Sequence, residues 1–398
     1  MIYLIPLVLI LYGIVRFDMK GISPSNSTYK KIWVSCFWLL VLIPGLSYRI
    51  GIDTPSYMYF YDNIRPIWDV NFKYLQDAHQ DIGWAVFNSL CKSVTSEYAF
   101  MHTLQCLILH TSVFFFIKEM THKRFVALIL YFVILWPHST FGALRESIAI
   151  ALFLIALLKL LKNRNYMQYF LIALSAILFH KFAFVPVLLT PLFWGVRKMK
   201  VLIPIFIGIG LVALFNMQFF IDLFIADLAS DDVKIAYYME TNLAGGEHQM
   251  NVVGMAYYII TLVVPPLILI YLLQHNNKGQ NNSLIMILVL SIVLGLVASL
   301  MTDFRRLYNY FIVLHAVLFA DFIGTGKFYR KDFMLFNSYR GLVALYFIIT
   351  VSSCINFYKP SVIEERKGVN YDVFYFPYYS VITKETDPMR EAVHMIEH

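Results

Sequence analysis

The sequence FGALRESIAIALFLIALLKLL, residues 141–161, contains a long apolar run with no charge between Glu146 and Lys159. A helix needs about 20 predominantly apolar residues to cross the hydrocarbon core of a bilayer. Similar runs recur along the chain and predict twelve membrane-spanning helices, at 1–15, 32–47, 98–117, 125–141, 144–161, 167–182, 183–196, 201–216, 252–273, 283–301, 307–323 and 341–357. The first run lacks a basic leader and a cleavage site, so we expect it to be retained.

The composition points to the same class of protein. Of 398 residues, 59% are hydrophobic and 14% are charged, whereas an ordinary soluble domain carries about 25% charged residues. The runs do not alternate as the strands of a membrane barrel do. The predicted fold class is therefore an all-α polytopic membrane protein in which residues 1–398 form one membrane domain. The basic residues occupy short loops and form no basic stripe, which excludes nucleic acid as a partner.

The short loops rich in Lys and Arg predict which side of the membrane each segment faces, because such loops stay in the cytoplasm. This places both termini outside, with outward segments at 48–97, 217–251 and 358–398. Residues 217–251 are polar enough to act as a lid or a sugar contact. Residues 82–95 are amphipathic, and we expect a helix in the outer interface. If this segment crossed instead, there would be thirteen or fourteen spans and every later loop would change sides.

Charged residues in or beside a span are costly and usually functional. Arg145 and Glu146 lie at the outward end of a predicted span, after the small residues Gly142 and Ala143. The alternative for Arg145 is that its side chain reaches the lipid headgroups. A second outward turn holds Arg305 and Arg306, preceded by Asp303 as a candidate partner.

A guanidinium group matches phosphate oxygens bidentately. Since adjacent helical residues point roughly 100° apart, only one of Arg305 and Arg306 is expected to face a given ligand. The alternative is that both anchor the protein in the outer leaflet. His180 lies between two apolar runs, where it is either a base or a hydrogen-bonded packing residue.

The first outward loop, SYRIGIDTPSYMYFYDNI at 47–64, combines charged and aromatic residues. Asp53 followed by Thr54 and Pro55 predicts a helix start capped by the aspartate. Tyr57 and Tyr61 then share one face of that helix. This pattern is typical either of an aromatic belt at the membrane interface or of a platform for a sugar, with Asp53 as a base or an acceptor-binding group.

Taken in order, RIGIDTPSYMYFYDN, GALRESIAIALFLIAL, LFHKFAFVPVLL, RRLYNYF and FPYYS resemble the EpsG-like branch of the Wzy polymerases, bacterial enzymes of exopolysaccharide and O-antigen assembly. The resemblance implies a glycosyltransferase of the inner membrane with a fold like the GT-C class. Such an enzyme acts at the periplasmic face and moves a growing glycan from one undecaprenyl pyrophosphate carrier to the repeat unit on another. It implies no cofactor and no metal. The bilayer and a chain-length regulator are its further partners.

The same resemblance assigns the site residues. Arg145 matches the arginine of an R-x-x-x-A motif, and Asp53 and Tyr57 match a G-x-D-x-x-x-Y motif. The candidate catalytic residues are Asp53, Arg145, Glu146 and His180. The candidate substrate-binding residues are Arg49, Tyr57, Arg305, Arg306 and Tyr308. Three alternative functions remain: a flippase for lipid-linked oligosaccharides, an O-antigen ligase and a multispan acyltransferase. A flippase would carry charges along a path through the bilayer, whereas here they cluster at one face.

Overall fold

In the computed structural model, the regular secondary structure of the described residues is helical apart from one isolated β-bridge, which confirms the prediction of an all-α protein. The described residues are 2–22, 25–77, 80–195, 252–276, 282–298, 304–322, 341, 345–346, 348–349, 374–388 and 390–391. The loop 217–251, the run 201–216, Asp303 and Cys354 lie outside them. Cys36, Cys91 and Cys106 are buried free thiols, as expected for cysteines that pack as small hydrophobes.

The helices follow the apolar runs closely. They are α1 Leu4–Gly13, α2 Ser27–Gly45, α3 Thr54–Asn63, α4 Phe72–Asp77, α5 Ile82–Val94, α6 Tyr98–Met120, α7 Arg124–Ile134, α8 Leu144–Asn163, α9 Tyr166–Phe179, α10 Phe184–Gly195, α11 Val252–Leu262, α12 Val264–Asn276, α13 Asn282–Ala298 and α14 Arg305–Phe322. Two π-helical turns, at Ile14–Asp18 and His138–Gly142, and two 3₁₀ turns, at Ile67–Asp69 and Lys181–Ala183, join some of them.

Prolines explain where two predicted spans divide. The run 252–273 becomes α11 and α12, with the break directly before Pro265 and Pro266. The run 125–141 becomes α7, which ends ahead of Pro137, and then the π-helical turn. Proline lacks a backbone N–H and its ring collides with the preceding turn, so it tends to kink or end a helix.

Among the described helices, α6 is long and apolar enough to cross a membrane by length and composition. Shorter apolar helices occur at Arg124–Ile134, Tyr166–Phe179, Lys181–Gly195, Ile259–Gln274 and Asn282–Ala298. The count of twelve spans therefore stays a prediction, as does the side of the membrane that each loop faces. The segment 82–95 does form a helix, α5.

The chain divides into two compact units. The first comprises Met1–Val187, Ile312–Lys327 and Thr350–His398. Its centre is α8, which is buried along most of its length and packs against α6 and α9. The helix α2 also packs against α6, and α1 packs on α2 and α7. The second unit comprises Leu188–Phe311 and Phe328–Ile349, in which α11, α12 and α13 pack together.

A buried carboxylate ties the end of α1 to the start of α7. Asp18, 3% exposed, accepts a hydrogen bond from the backbone N–H of Val126 at 2.9 Å, and Lys123 donates to its carbonyl oxygen. Burial raises the pKa of Asp18 to about 6, although these hydrogen bonds and the nearby cations oppose the shift. The carboxyl group is therefore harder to ionise than that of an ordinary aspartate.

Candidate functional site

The first unit contains six of the nine predicted site residues, on segments that converge around α5. Of these segments, α3 and α9 pack directly on α5, and the first turn of α8 reaches it through an ion pair. The six residues are Arg49, Asp53, Tyr57, Arg145, Glu146 and His180.

The loop before α3 lies directly against the π-helical turn before α8. Gly51 has φ +107, and a Cβ built on it would lie 2.7 Å from the carbonyl carbon of Phe141 and closer still to its oxygen. The hydroxyl of Thr54 donates to the carbonyl oxygen of Ile50 at 2.5 Å and lies 3.4 Å from that of Phe141. Only a residue without a side chain fits at position 51, so two of the sequence motifs are in direct backbone contact.

The helix start predicted at Asp53 is confirmed, but the predicted cap is not. Asp53 immediately precedes α3 and Pro55 occupies its first turn, yet the Asp53 side chain makes no capping hydrogen bond. Its backbone is helical, with φ −88° and ψ −2°, whereas a capping residue normally has extended angles that aim its side chain at the first free N–H groups. The carboxylate is thus not committed to the helix end.

The tyrosines of α3 differ in their surroundings. The Tyr57 ring packs at 5.5 Å and 68° on the ring of Trp84 in α5. Tyr61, on the same face, is fully buried and donates from its hydroxyl to the carbonyl oxygen of Thr95 at 2.8 Å. Tyr59 on the opposite face is 74% exposed. Tyr61 is therefore a packing residue, and Tyr57 is the tyrosine that remains partly accessible.

Arg145 is held at the beginning of α8 by a carboxylate from α5. Its Nη1 lies 2.9 Å from Oδ2 of Asp81, the residue that precedes α5. Asp81 is almost completely buried, and Arg145 keeps about a quarter of its side chain exposed. The buried Nε of Arg145 makes no hydrogen bond. A guanidinium N–H can only donate, so this group is a donor in need of an acceptor.

Glu146 points in another direction, towards the π-helical turn. Its carboxylate is 1% exposed, and Oε2 lies 3.5 Å from Nε2 of His138. The two residues meet because the turn folds back on the first turn of α8, closed by a 2.8 Å hydrogen bond from the N–H of Ala143 to the carbonyl oxygen of His138.

His180 terminates α9 and is buried. It adopts an extended backbone between α9 and the following 3₁₀ turn, with 4% of its surface exposed. Two residues earlier, Leu178 is so close to α5 that a Cβ on Gly83 would lie 2.8 Å from its carbonyl oxygen. His180 therefore sits beside the same end of α5 as Asp81, in surroundings that also suit a packing histidine.

Arg49 binds a carboxylate near the C-terminal end of the chain. Its Nε lies 2.6 Å and its Nη2 2.5 Å from the two oxygens of Glu391, a bidentate pair. The neighbouring Arg390, 1% exposed, donates to the carbonyl oxygens of Pro377 at 2.7 Å and Arg49 at 3.4 Å. Burial lowers the pKa of Arg390, while nearby carboxylates raise it.

Backbone pairing completes this attachment between the C-terminal segment and the first loop. Ser47 and Ser380 form an antiparallel bridge. The N–H groups of Tyr48 and Gly51 donate to the carbonyl oxygens of Tyr379 and Phe374, both at 2.9 Å. The substrate-binding role of Arg49 stays a prediction, since its guanidinium is already paired within the chain.

The remaining predicted residues lie in the second unit. Arg305 and Arg306 open α14, and both are half-buried, whereas Tyr308 is 4% exposed. Burial of that kind favours a packing role for Tyr308. Whether Arg305 or Arg306 pairs with Asp303 falls outside the described residues.

The described part of the chain holds no group of three or more His, Cys, Asp or Glu side chains placed to bind a metal ion. The expectation of a metal-independent site stays a prediction. Four residues around the site were not found from the sequence: Asp81, His138, Arg390 and Glu391. Each is a single polar residue without a motif. Only His138, which directly precedes Ser139 and Thr140 in the segment before Arg145, offered a local signal.

Comparison with protein families matches the chain to the EpsG family over residues 30–366. The matched region contains every predicted site residue. No curated protein and no solved structure matches the chain.

Proposed function

The chain belongs to the EpsG family, whose members are membrane proteins, and from this premise we propose that it is a membrane glycosyltransferase that polymerises polysaccharide. It takes a growing glycan from one undecaprenyl pyrophosphate carrier and joins it to the repeat unit on a second carrier. The reaction occurs at the periplasmic face of the bacterial inner membrane. The product is an exopolysaccharide or O-antigen chain.

The observation that carries this proposal is the placement of Arg145. An arginine in the first turn of α8 is fixed by Asp81 through one nitrogen and retains a buried Nε donor with no partner. Buried donors are nearly always satisfied in folded proteins, so an exception calls for an acceptor such as a ligand oxygen or an ordered water. A phosphate oxygen is such an acceptor, and guanidinium groups bind phosphates well.

The chemistry of the proposed donor explains why a cation is needed. When the bond between the anomeric carbon and the carrier breaks, the electron pair stays on the departing pyrophosphate oxygen. Preorganised donors aimed at that oxygen stabilise the transition state, and removal of one such donor typically lowers kcat by about 10²–10³-fold. Arg145 is preorganised by Asp81.

The surroundings of Arg145 suit a glycan as well as a phosphate. Tyr57 presents a partly exposed aromatic ring that packs on Trp84, and aromatic faces are good surfaces for sugar rings. Asp53 lies one turn before Tyr57, immediately ahead of α3, and its carboxylate makes no capping hydrogen bond to the start of that helix. We propose that these two residues bind the acceptor sugar, so that its hydroxyl approaches the donor held by Arg145.

The test uses the lipid-linked repeat unit extracted from the producing strain after deletion of this gene, so that the unit is made but is not polymerised by this protein. Wild-type protein in membranes should convert it into a ladder of lengthening glycans. Arg145→Ala should reduce extension at least about 100-fold while the variant still reaches the membrane. Arg16→Ala, an exposed arginine outside the site, is the matched control and should extend normally.

The outcomes separate the competing functions. Transfer of the substrate across the bilayer without a new bond would indicate a flippase, and a requirement for the lipid A core would indicate a ligase. A full-length ladder from Arg145→Ala would contradict the proposed role of this arginine.

A further inference from the structure

The π-helical turn His138–Gly142 carries a histidine that the proposed reaction has not yet used. Turns of this kind are rare, cost helix stability and are frequently found at functional sites. Here the turn lies between α7 and α8, immediately before Arg145, and contacts Gly51 of the first loop through Phe141. It is therefore placed among the residues assigned to substrate binding.

The two edges of the His138 ring have different surroundings. Nε2 is buried and faces the carboxylate of Glu146 at 3.5 Å. Nδ1 is on the side of Gly142, where an added Cβ would lie 4.0 Å from it. About a third of the His138 side chain is exposed, against 1% for Glu146. Because Nε2 is buried against the carboxylate, the exposed surface of His138 belongs to the rest of its side chain.

We propose that His138 is the general base of the polymerisation reaction, with Glu146 as its positioning residue. This inference rests on the proposed function. The acceptor hydroxyl gives its proton to Nδ1 as its oxygen attacks the anomeric carbon of the donor. The new glycosidic C–O bond forms, the C–O bond to the carrier breaks, and the pyrophosphate leaves with the electron pair. The Glu146 carboxylate stabilises the resulting imidazolium, which later releases its proton to water.

Among the described residues, the other titratable groups around His138 are less well placed than His138 to take the proton. Glu146 is too buried to reach a sugar hydroxyl. Arg145, next to it on α8, pairs with Asp81. His102 on α6 has its Nε2 2.7 Å from the carbonyl oxygen of Thr140 in the turn, and because a carbonyl only accepts, that nitrogen carries the hydrogen. His102 is fully buried and serves to hold the turn.

The contact of 3.5 Å is longer than an ordinary hydrogen bond. Catalytic hydrogen bonds are often long in the absence of substrate and shorten when it binds. A histidine is the usual general base because its ordinary pKa lies near working pH, and general-base catalysis typically contributes about 10²–10⁴-fold.

The first experiment measures glycan extension by His138→Gln, with His122→Gln as control, since His122 is an exposed histidine between α6 and α7. His138→Gln should extend at least about 100-fold more slowly with little change in KM, and His122→Gln should match wild type. Equal rates for His138→Gln and wild type would overturn the proposal while leaving the polymerase function intact. If wild type itself forms no ladder, the proposed function fails and this inference with it.

The second experiment tests Glu146 by comparing two substitutions. Glu146→Asp keeps a carboxylate on the side of His138 that holds Nε2, whereas Glu146→Gln removes the negative charge beside the ring. Glu146→Asp should therefore retain a clearly larger kcat than Glu146→Gln, with KM little changed in both variants. Equal kcat values for the two variants would overturn the pairing.

A third pair of variants keeps the proposal testable if His138→Gln fails to reach the membrane. Gly142→Ala adds a methyl group at ordinary contact distance from Nδ1 and should retain activity. Gly142→Leu fills the space in front of Nδ1 and should lower kcat by an amount similar to the histidine substitution. Equal activity of the two Gly142 variants would show that this edge of the ring is not used.

Discussion

Replacing Gly51 by alanine tests whether the contact between the first loop and the π-helical turn positions the site. Gly51 has φ +107, a conformation that costs a residue with a side chain roughly 1–3 kcal/mol. The added Cβ would also lie 2.7 Å from the carbonyl carbon of Phe141. Carbon atoms in ordinary contact are about 3.5–4.0 Å apart, so the loop and the turn must separate by roughly 1 Å.

That separation would move the two halves of the proposed site apart, because Asp53 and Tyr57 follow Gly51 whereas His138 and Arg145 flank Phe141. A misplacement of about 1 Å in an active site can cost on the order of 100-fold in rate. We therefore expect Gly51→Ala to extend the lipid-linked repeat unit about 100-fold more slowly than wild type.

Gly21 provides the matched control for the backbone effect. It also has a positive φ, +65, but among the described residues beyond its chain neighbours no atom lies within 4 Å of the position of a Cβ. Gly21→Ala should lose roughly 1–2 kcal/mol from the left-handed backbone and keep its extension rate. Ladder formation in membranes, normalised to the amount of each variant by immunoblot, measures both. Wild-type extension by Gly51→Ala, or an equal loss in both variants, would refute the reasoning.

Three further predictions concern other parts of the chain. Arg306→Lys should slow extension more than Arg16→Lys, because lysine cannot make the two parallel hydrogen bonds that a guanidinium group makes to a phosphate. Equal ladders from the two variants would contradict this. Glu391→Gln should lower the melting temperature in detergent, since it breaks the bidentate pair with Arg49. The double variant Glu391→Gln/Arg49→Gln should be destabilised by less than the sum of the two single variants. A loss equal to that sum would indicate that the two side chains are not coupled. The folded-state pKa of Asp18, about 6, lies above its ordinary value, so the folded protein loses stability as pH rises from about 4 through 6, by about 3 kcal/mol at most. Asp18→Asn should therefore raise the melting temperature at pH 8 but not at pH 4, and an equal effect at both pH values would rule out this titration.

Much of the helical architecture could be predicted because it depends on local patterns. The helix start after Asp53 follows from an aspartate and a proline in the right order, and the division at Pro265 and Pro266 follows from the missing N–H of proline. The position of His180 between two helices was likewise readable from the apolar runs on either side.

The partners of the site residues could not be predicted, because they come from distant positions. Arg145 pairs with Asp81, 64 residues earlier, and Arg49 with Glu391, 342 residues later. A single carboxylate has no periodicity that would reveal its partner. The absence of a capping hydrogen bond at Asp53 likewise depends on backbone angles that the residue type alone does not fix. His138 was missed because its importance arises from the π-helical turn and not from its neighbours in sequence.

The attachment of residues 374–391 to the loop at 46–51 has a consequence for how the protein is made. The ribosome delivers the first loop early and its partner segment hundreds of residues later, so most of the polypeptide is synthesised while that loop still lacks its final support. A premature stop codon late in the gene would consequently leave Arg49 and Gly51 without their native neighbours, in a chain that still carries every other candidate site residue.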